Sequence, residues 1–266
     1  MHSFQHAVAR VAVWNLAGYG GIPAERMEKQ VEGLALLDAE LVTLVEVNPA
    51  TYLDDLCAGL AQLGVDYDTT ILPQAGGLHI GFLHKPGVEL TNPRFVPGSN
   101  GNYANGRVAI EVDVKIGNFR AVLIGVHLKS GRGKRQQATR DSQCRVIGER
   151  IAAIRATAGL KRRAILLMGD FNMVPGQDVS NFHHLGGDDL MDFVSSWDLQ
   201  DRFSHILDKG RANLLDGFAV SRTYSTEYIR GSLRLFPMHW TMDMGRELYR
   251  DCVSDHLPFV ASFRIH

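Results

Sequence analysis

Cysteine is scarce: Cys57, Cys144 and Cys252 are the three in 266 residues, an odd number without metal-type spacing. That excludes a thiolate zinc cage and predicts buried thiols rather than a disulfide framework. Long apolar runs are missing too. No stretch approaches the ~18 to 20 residues that a membrane helix needs, so no membrane insertion is expected. Met1 to Ala7 lacks the apolar core of a signal peptide, and a strand pattern begins at Val8; the chain is expected in the cytoplasm, or secreted with its leader removed. Neither sign of charge dominates. The formal net charge is −1, which leaves any affinity for nucleic acid or anionic membrane to a local patch. No Pro/Ser/Gly-rich linker, short-period repeat or low-complexity tract interrupts the chain.

What remains is the profile of an ordinary soluble globular protein, 45% hydrophobic and 21% charged. Residues 1–266 are expected to form a single domain, as a monomer. Val8 to Trp14 reads as a buried strand delivering Asn15 to its carboxyl end, before the Gly-rich turn LAGYGGIP. Pro23 can open a helix with Met27, Val31 and Leu34 on one face. Leu41 to Val47 repeats the strand pattern, and a helix from Pro49 carries Leu53, Leu56 and Leu60. Consecutive strands follow at about Asp66 to Leu72, Leu78 to His84, Arg107 to Lys115 and Phe119 to His127, which implies antiparallel pairs, with a tight turn at Gly117-Asn118. Arg135 to Thr157 is the longest helical segment, and Ala164 to Met168 is an apolar strand running into GDFN. Short helices are expected near Leu185 to Trp197, a strand at Asp216 to Ser221, loop plus hairpin over Tyr224 to Arg250, and a closing strand at Leu257 to Ile265. Cys144 falls in a helix on this reading and Cys252 near a strand. Strands outnumber helices, which suggests two packed sheets covered by helices.

Four strand ends present hard oxygen groups: Asn15, Glu46, the pair Asp170 and Asn172, and Asp255. Carboxylates and amides suit Mg²⁺ or Mn²⁺, and Mg²⁺ takes only one or two protein carboxylates alongside substrate oxygens. A sparse acidic set is what phosphate chemistry asks for. Singly, each group is as easily a turn or cap residue.

In chain order the sequence shows WN at Trp14 and Asn15, LVEVN around Glu46, GVHLKS around His127, MGDFN around Asp170, LLDGFAVS around Asp216, and SDHLP around Asp255 and His256. This succession, from Val11 to Phe263, resembles the endonuclease/exonuclease/phosphatase superfamily. The resemblance implies an α/β fold, a four-layer sandwich of two mixed, mainly antiparallel sheets flanked by helices. It implies a metal-dependent phosphoric ester hydrolase in which Glu46 and Asp255 are acidic metal ligands and Asn15 is the amide beside them. Asp170 and Asn172 would contact phosphate, metal or the attacking water. His256 would be base or phosphate contact with Asp216 near it, and His127 matches a second histidine of the pancreatic-deoxyribonuclease and sphingomyelinase branches. Arg107 matches an arginine that grips a substrate phosphate.

Elementary chemistry agrees. Phosphodiester cleavage needs a nucleophilic water, a path for the leaving-group proton and a sink for phosphoryl charge. Asp216 beside His256 would set the imidazole tautomer, His127 would protonate the leaving oxygen, and a cation on Glu46 would neutralise developing charge. Lys129 opens the basic segment KSGRGKRQQATR, ending at Arg140, which is either a solvated loop or a surface that follows a polyphosphate backbone. Val45 stands where many relatives have Gln, and Asn48 and His127 stand where apurinic-site endonucleases carry Lys and Tyr; the three differences favour the histidine-bearing branches. No acidic partner for His127 is visible near Leu78 to His84. His183, His184, His205 and His239 lack a motif and read as surface or loop residues; Phe236 and Trp240 read as core, with substrate stacking on a loop rim as the alternative. A nuclease cutting DNA internally is the leading expectation, a phosphatase or phosphodiesterase on small or lipid phosphates the second, and a silent binder of nucleic acid or protein the third.

Overall fold

The first two apolar runs pair in parallel because a crossover helix follows the first. In the computed structural model, which describes residues 7–102, 106–186, 191–193, 203–207 and 212–266, they form β1 (Ala7–Asn15) and β2 (Leu41–Val47). Between them α1 (Ala24–Leu37) begins directly after Pro23, whose fixed φ and missing N–H suit a helix start. It buries Val31, Leu34 and Leu37 and ends at Asp38 in the left-handed conformation. After β2, α2 (Tyr52–Gln62) buries Leu53, Leu56 and Leu60.

The strands that follow are β3 (Asp68–Ile71), β4 (His79–His84), β5 (Val88–Phe95), β6 (Ile110–Ile116) and β7 (Phe119–His127). Gly117, at φ +57, supplies the turn between β6 and β7. Then come α3 (Lys134–Ala156), β8 (Ala164–Asp170), α4 (Val179–His184), β9 (Met191–Phe193), β10 (His205–Ile206), β11 (Ala212–Asn213), β12 (Asp216–Ser221), β13 (Arg234–Leu235), α5 (Met238–Thr241), α6 (Arg246–Cys252) and β14 (Phe259–Ile265). One six-stranded sheet has the order β13-β14-β1-β2-β4-β3 and the other β5-β6-β7-β8-β12-β9; β10 and β11 pair separately. Each large sheet is mixed, with β1–β2 and β7–β8 as the parallel pairs.

Alternation along β7 explains the layers. Ala121 and Leu123 join the apolar cluster shared with the first sheet, whereas Val122, Ile124 and Val126 join Cys144, Ile147, Ile151 and Ile154 of α3. β8 divides the same way, Leu166 and Met168 to one side, Ile165 and Leu167 to the other. A strand buried on both faces needs no polar alternation, which is why ILLM reads as one apolar run. The result is helices, sheet, sheet, helices: the four-layer α/β sandwich that the resemblance implies.

Several boundaries differ from expectation. β5 was not anticipated because VELTNPRF contains Pro93; it lies at a sheet edge, where a missing N–H is tolerated, with a register shift between Thr91 and Arg94. β6 starts at Ile110, not Arg107. The Tyr224 to Arg250 region forms no hairpin of its own: β13 pairs with β14, and Pro237 and Gly245 open α5 and α6. Cys252 therefore closes a helix. Of the region near Leu185 to Trp197 where short helices are expected, positions 187–190 and 194–197 lie outside the described residues; Met191–Phe193 is a strand, and a short helix precedes the region at Val179–His184. Phe236 is buried as read, but Trp240 is 64% exposed.

Candidate active site

Three adjacent strands of the second sheet bring their chemistry to one level. β7 runs parallel to β8 with His127 opposite Asp170, and β12 runs antiparallel to β8 with Asp216 opposite Asp170. Hydrogen-bond register alone thus sets positions 127, 170 and 216 in a row. Gly169, at φ +151, has no alternative here, since a Cβ would lie 1.9 Å from the Val126 carbonyl oxygen.

The first sheet supplies the facing wall. β1 ends in Asn15, and Glu46 sits in β2 at a register shift between Val45 and Val47, with φ +60. A bulge with a non-glycine left-handed residue is locally costly and re-aims a side chain, a device found near functional sites. Gly18 packs against this turn so closely that a Cβ would meet the Glu46 carbonyl oxygen at 1.9 Å. The Tyr19 N–H donates to Glu46 Oε2 at 3.2 Å.

Across the sheets, Glu46 Oε1 lies 3.4 Å and Asp170 Oδ2 3.6 Å from His127 Nε2. The acidic partner absent near Leu78 to His84 is therefore supplied by these two carboxylates, while His127 Nδ1 is buried without a hydrogen-bond partner among the described residues. Asn15 Nδ2 donates to Asp170 Oδ2 at 3.2 Å, and its Oδ1 accepts from the Ala17 N–H at 2.9 Å, so this amide orients Asp170. Burial raises the Asp170 pKa, and Asp216 and Glu46 add to it, against His256 and the Asn172 N–H. A buried and a partly buried carboxylate beside an imidazole, with donor atoms within 4.8 Å of one another, make an oxygen-rich set that fits a hard dication.

A second unit adjoins this one. His256 Nδ1–H donates to Asp216 Oδ2 at 2.7 Å, and Ser204 Oγ donates to the same oxygen at 2.6 Å. The Trp14 indole N–H and the Tyr249 hydroxyl both donate to the His256 carbonyl at 2.9 Å, which fixes the backbone that carries the ring. Burial lowers the His256 pKa, but the charge of Asp216 and its hydrogen bond outweigh this and lift it to about 10. His127 moves the other way: burial, then Arg107, His256 and Lys129, hold it well below its ordinary value.

Asp255 lies apart from the Glu46 cluster. Its carboxylate is 3.4 Å from His205 Nε2 and 3.7 Å from His256 Nε2, and interaction with the two imidazoles lowers its pKa against the effect of burial. The structure still brings Glu46, Asp255 and His256 to the wall of one cleft of about 480 Å³, with Tyr19, Arg26 and Arg250. Arg107 and Lys129 line a neighbouring cavity of about 220 Å³. Arg107 Nη1 and Asn172 Nδ2 each donate to the Leu128 carbonyl at 3.1 Å, tying the phosphate-binding candidates to the end of β7. Burial lowers the Arg107 pKa, against the pull of Glu46 and Asp170.

Two expectations change. Arg140 is buried, donating to the Lys129 and Gly131 carbonyls at 2.7 and 2.6 Å, so the end of the basic segment is internal bracing and not solvated charge. His205 is no stray loop residue: its ring lies 4.6 Å from that of His256, and the two backbones form a bridge. Nothing in its sequence neighbourhood signals this, because the pairing spans 51 residues between positions 205 and 256. Ser204 was likewise invisible, a lone serine until Asp216 meets it.

No family model and no curated protein sequence matches the chain. Solved structures do. An endonuclease/exonuclease/phosphatase family protein from Bacteroides thetaiotaomicron superposes with TM-score 0.72 at 14% identity, covering 99% of this chain and 100% of that one. D. rerio TDP2 complexed with single-strand DNA product gives TM-score 0.68 at 16% identity, covering 97% and 99%. The human Nocturnin catalytic domain with bound sulfate gives TM-score 0.64 at 17% identity, covering 99% and 98%. With likeness running the length of each chain, and two helix-covered mixed sheets meeting at a carboxylate–histidine cleft, this protein has the endonuclease/exonuclease/phosphatase fold.

Proposed function

We propose that the chain is a divalent-cation-dependent phosphodiester hydrolase that cuts DNA, with the Asp216–His256 pair moving the proton. The observation that carries this is the 2.7 Å contact of His256 Nδ1 with Asp216, in a cleft whose opposite wall holds Glu46. With Nδ1 committed to Asp216, Nε2 is the atom that faces the cleft; the raised pKa makes it a strong base whose free form grows as pH rises toward about 10, so turnover should increase over that range. Water adds to phosphorus, its proton passes to His256 Nε2, the ester P–O bond breaks, and the departing oxygen takes a proton from solvent. Mg²⁺ or Mn²⁺ held by Glu46 and Asp170 would supply Lewis-acid neutralisation of phosphoryl charge.

Asn15 keeps Asp170 in place, and Arg107, Lys129 and Asn172 bind substrate phosphates beside it. His127 stays neutral because its pKa is depressed, so it serves as a hydrogen-bonding group that positions the Glu46 and Asp170 carboxylates. This positioning role is proposed in place of the leaving-group acid role that the resemblance implies. Asp255 is an acidic group of the cleft, paired with imidazoles.

DNA is favoured by the paired Arg107 and Lys129 and by the DNA product seen in the TDP2 structure. A small phosphate ester is the second reading, favoured by the burial of Arg140 and by the net charge of −1, which limit the positive surface. A panel of single-stranded DNA, duplex DNA, RNA, phosphomonoesters and phospholipids decides between them. DNA should be cleaved with Mg²⁺ or Mn²⁺, protected by EDTA, and cleaved more slowly as salt rises. His256→Ala should lose about 10²- to 10⁴-fold in rate; a variant as active as the parent would remove the base assignment. Intact DNA beside salt-insensitive hydrolysis of small esters would establish the second reading.

A further inference from the structure

His205, Asp255 and His256 form a donor set of their own, distinct from the oxygen-rich cluster around Glu46. Its composition is two imidazoles and one carboxylate, the borderline set that suits Zn²⁺ better than Mg²⁺. The spacing is apt. Ligands about 2.05 Å from a tetrahedral zinc stand about 3.3 Å from one another; His205 Nε2 is 3.4 Å from one Asp255 oxygen and His256 Nε2 3.7 Å from the other, and one ligand atom from each of the three residues lies within 4.8 Å of the rest. His256 also has the support typical of a metal-bound imidazole, since its other nitrogen donates to the Asp216 carboxylate at 2.7 Å. A backbone bridge joins positions 205 and 256, and the two rings lie 4.6 Å apart between centroids, tilted by 38°. The set opens on the 480 Å³ cleft, through which an ion can enter.

We infer that His205, Asp255 and His256 bind a Zn²⁺-type cation that silences the hydrolase by occupying His256 Nε2. This rests on the reading of His256 as the proton-moving group. Such an ion takes the lone pair that would receive the proton from water, and it does so while the Glu46 cluster remains free to hold Mg²⁺. The protein would then be controlled by which cation is abundant, with His205 as the residue that makes the inhibitory site.

The test uses Co²⁺, whose visible absorption reports low-coordinate nitrogen and oxygen ligation, titrated into the full-length protein in excess Mg²⁺. One equivalent should produce the tetrahedral-type band, Zn²⁺ should abolish it, and Zn²⁺ should inhibit hydrolysis over the same concentration range. His205→Gln should weaken the Co²⁺ signal and raise the inhibitory Zn²⁺ concentration by about 10- to 100-fold, measured against that variant's own zinc-free rate. Glu46→Gln should keep the band. Loss of the band in Glu46→Gln with retention in His205→Gln would overturn the inference by moving the ion to the other cluster. A parent that hydrolyses with Mg²⁺, loses this in His256→Ala and yet shows no band would overturn the inference and leave the catalytic reading standing. A band that behaves as expected beside a fully active His256→Ala would support the cation site and overturn the catalytic reading.

Discussion

Asp216 concentrates its work on one oxygen. Oδ2 accepts from both Ser204 and His256, whereas Oδ1 is buried with no hydrogen-bond partner among the described residues. Removing the charge while keeping the shape should therefore act on the neighbouring ring. In metal-free Asp216→Asn, the His256 pKa should fall from about 10 toward its ordinary value, because burial is then opposed only by the charges of Asp170 and Asp255. NMR titration of the imidazole measures this, and an unchanged value would mean that other charges hold the ring cationic. The residues of the candidate site were legible where each carries its own motif: Asn15, Glu46, His127, Asp170, Asp216 and the Asp255-His256 pair. Those that support them were not. Ser204, Tyr249 and His205 act through tertiary contacts, and a contact across the fold leaves no periodicity around the residue.

At the scale of elements, α3 is the clearest case of pattern becoming structure. Ile147, Ile151 and Ile154 recur at helical spacing, and all are buried against the outer face of β7 and β8. Ile151→Ala should cost about 3 kcal/mol, the middle of the range for emptying a well-packed core site, read as a lower denaturant midpoint with an unchanged slope. A loss under about 1 kcal/mol would mean that the helix settles into the gap. Long amphipathic or fully buried elements were legible because their periods are strong. β5, β13, α5 and α6 were not, since short pieces carry one turn of signal and β5 holds a proline that only an edge position permits.

For the molecule as a whole, binding of a cation at Glu46 and Asp170 should be visible as stability, because it relieves buried negative charge in the folded state only. Mg²⁺ at ~100 times its dissociation constant should stabilise by about 2.7 kcal/mol, read as a raised Tm that returns to the starting value with EDTA. Glu46→Gln should lose most of that increment; an equal rise in this variant would place the ion elsewhere. The layered architecture was legible from the count and order of strands, and no described helix is long and apolar enough to cross a membrane. What no strand could reveal alone is how the rows align. The pairing of Asp216 with Asp170 across β12 and β8 has a further meaning for quality of folding. Sliding β12 by a single position would bring Leu215 or Gly217 to that place, leaving the secondary-structure content nearly unchanged while withdrawing the carboxylate from His256. Catalysis is then a sharper gauge of correct assembly than circular dichroism. A refolded batch with native spectrum and no turnover would report strands that are present but misaligned.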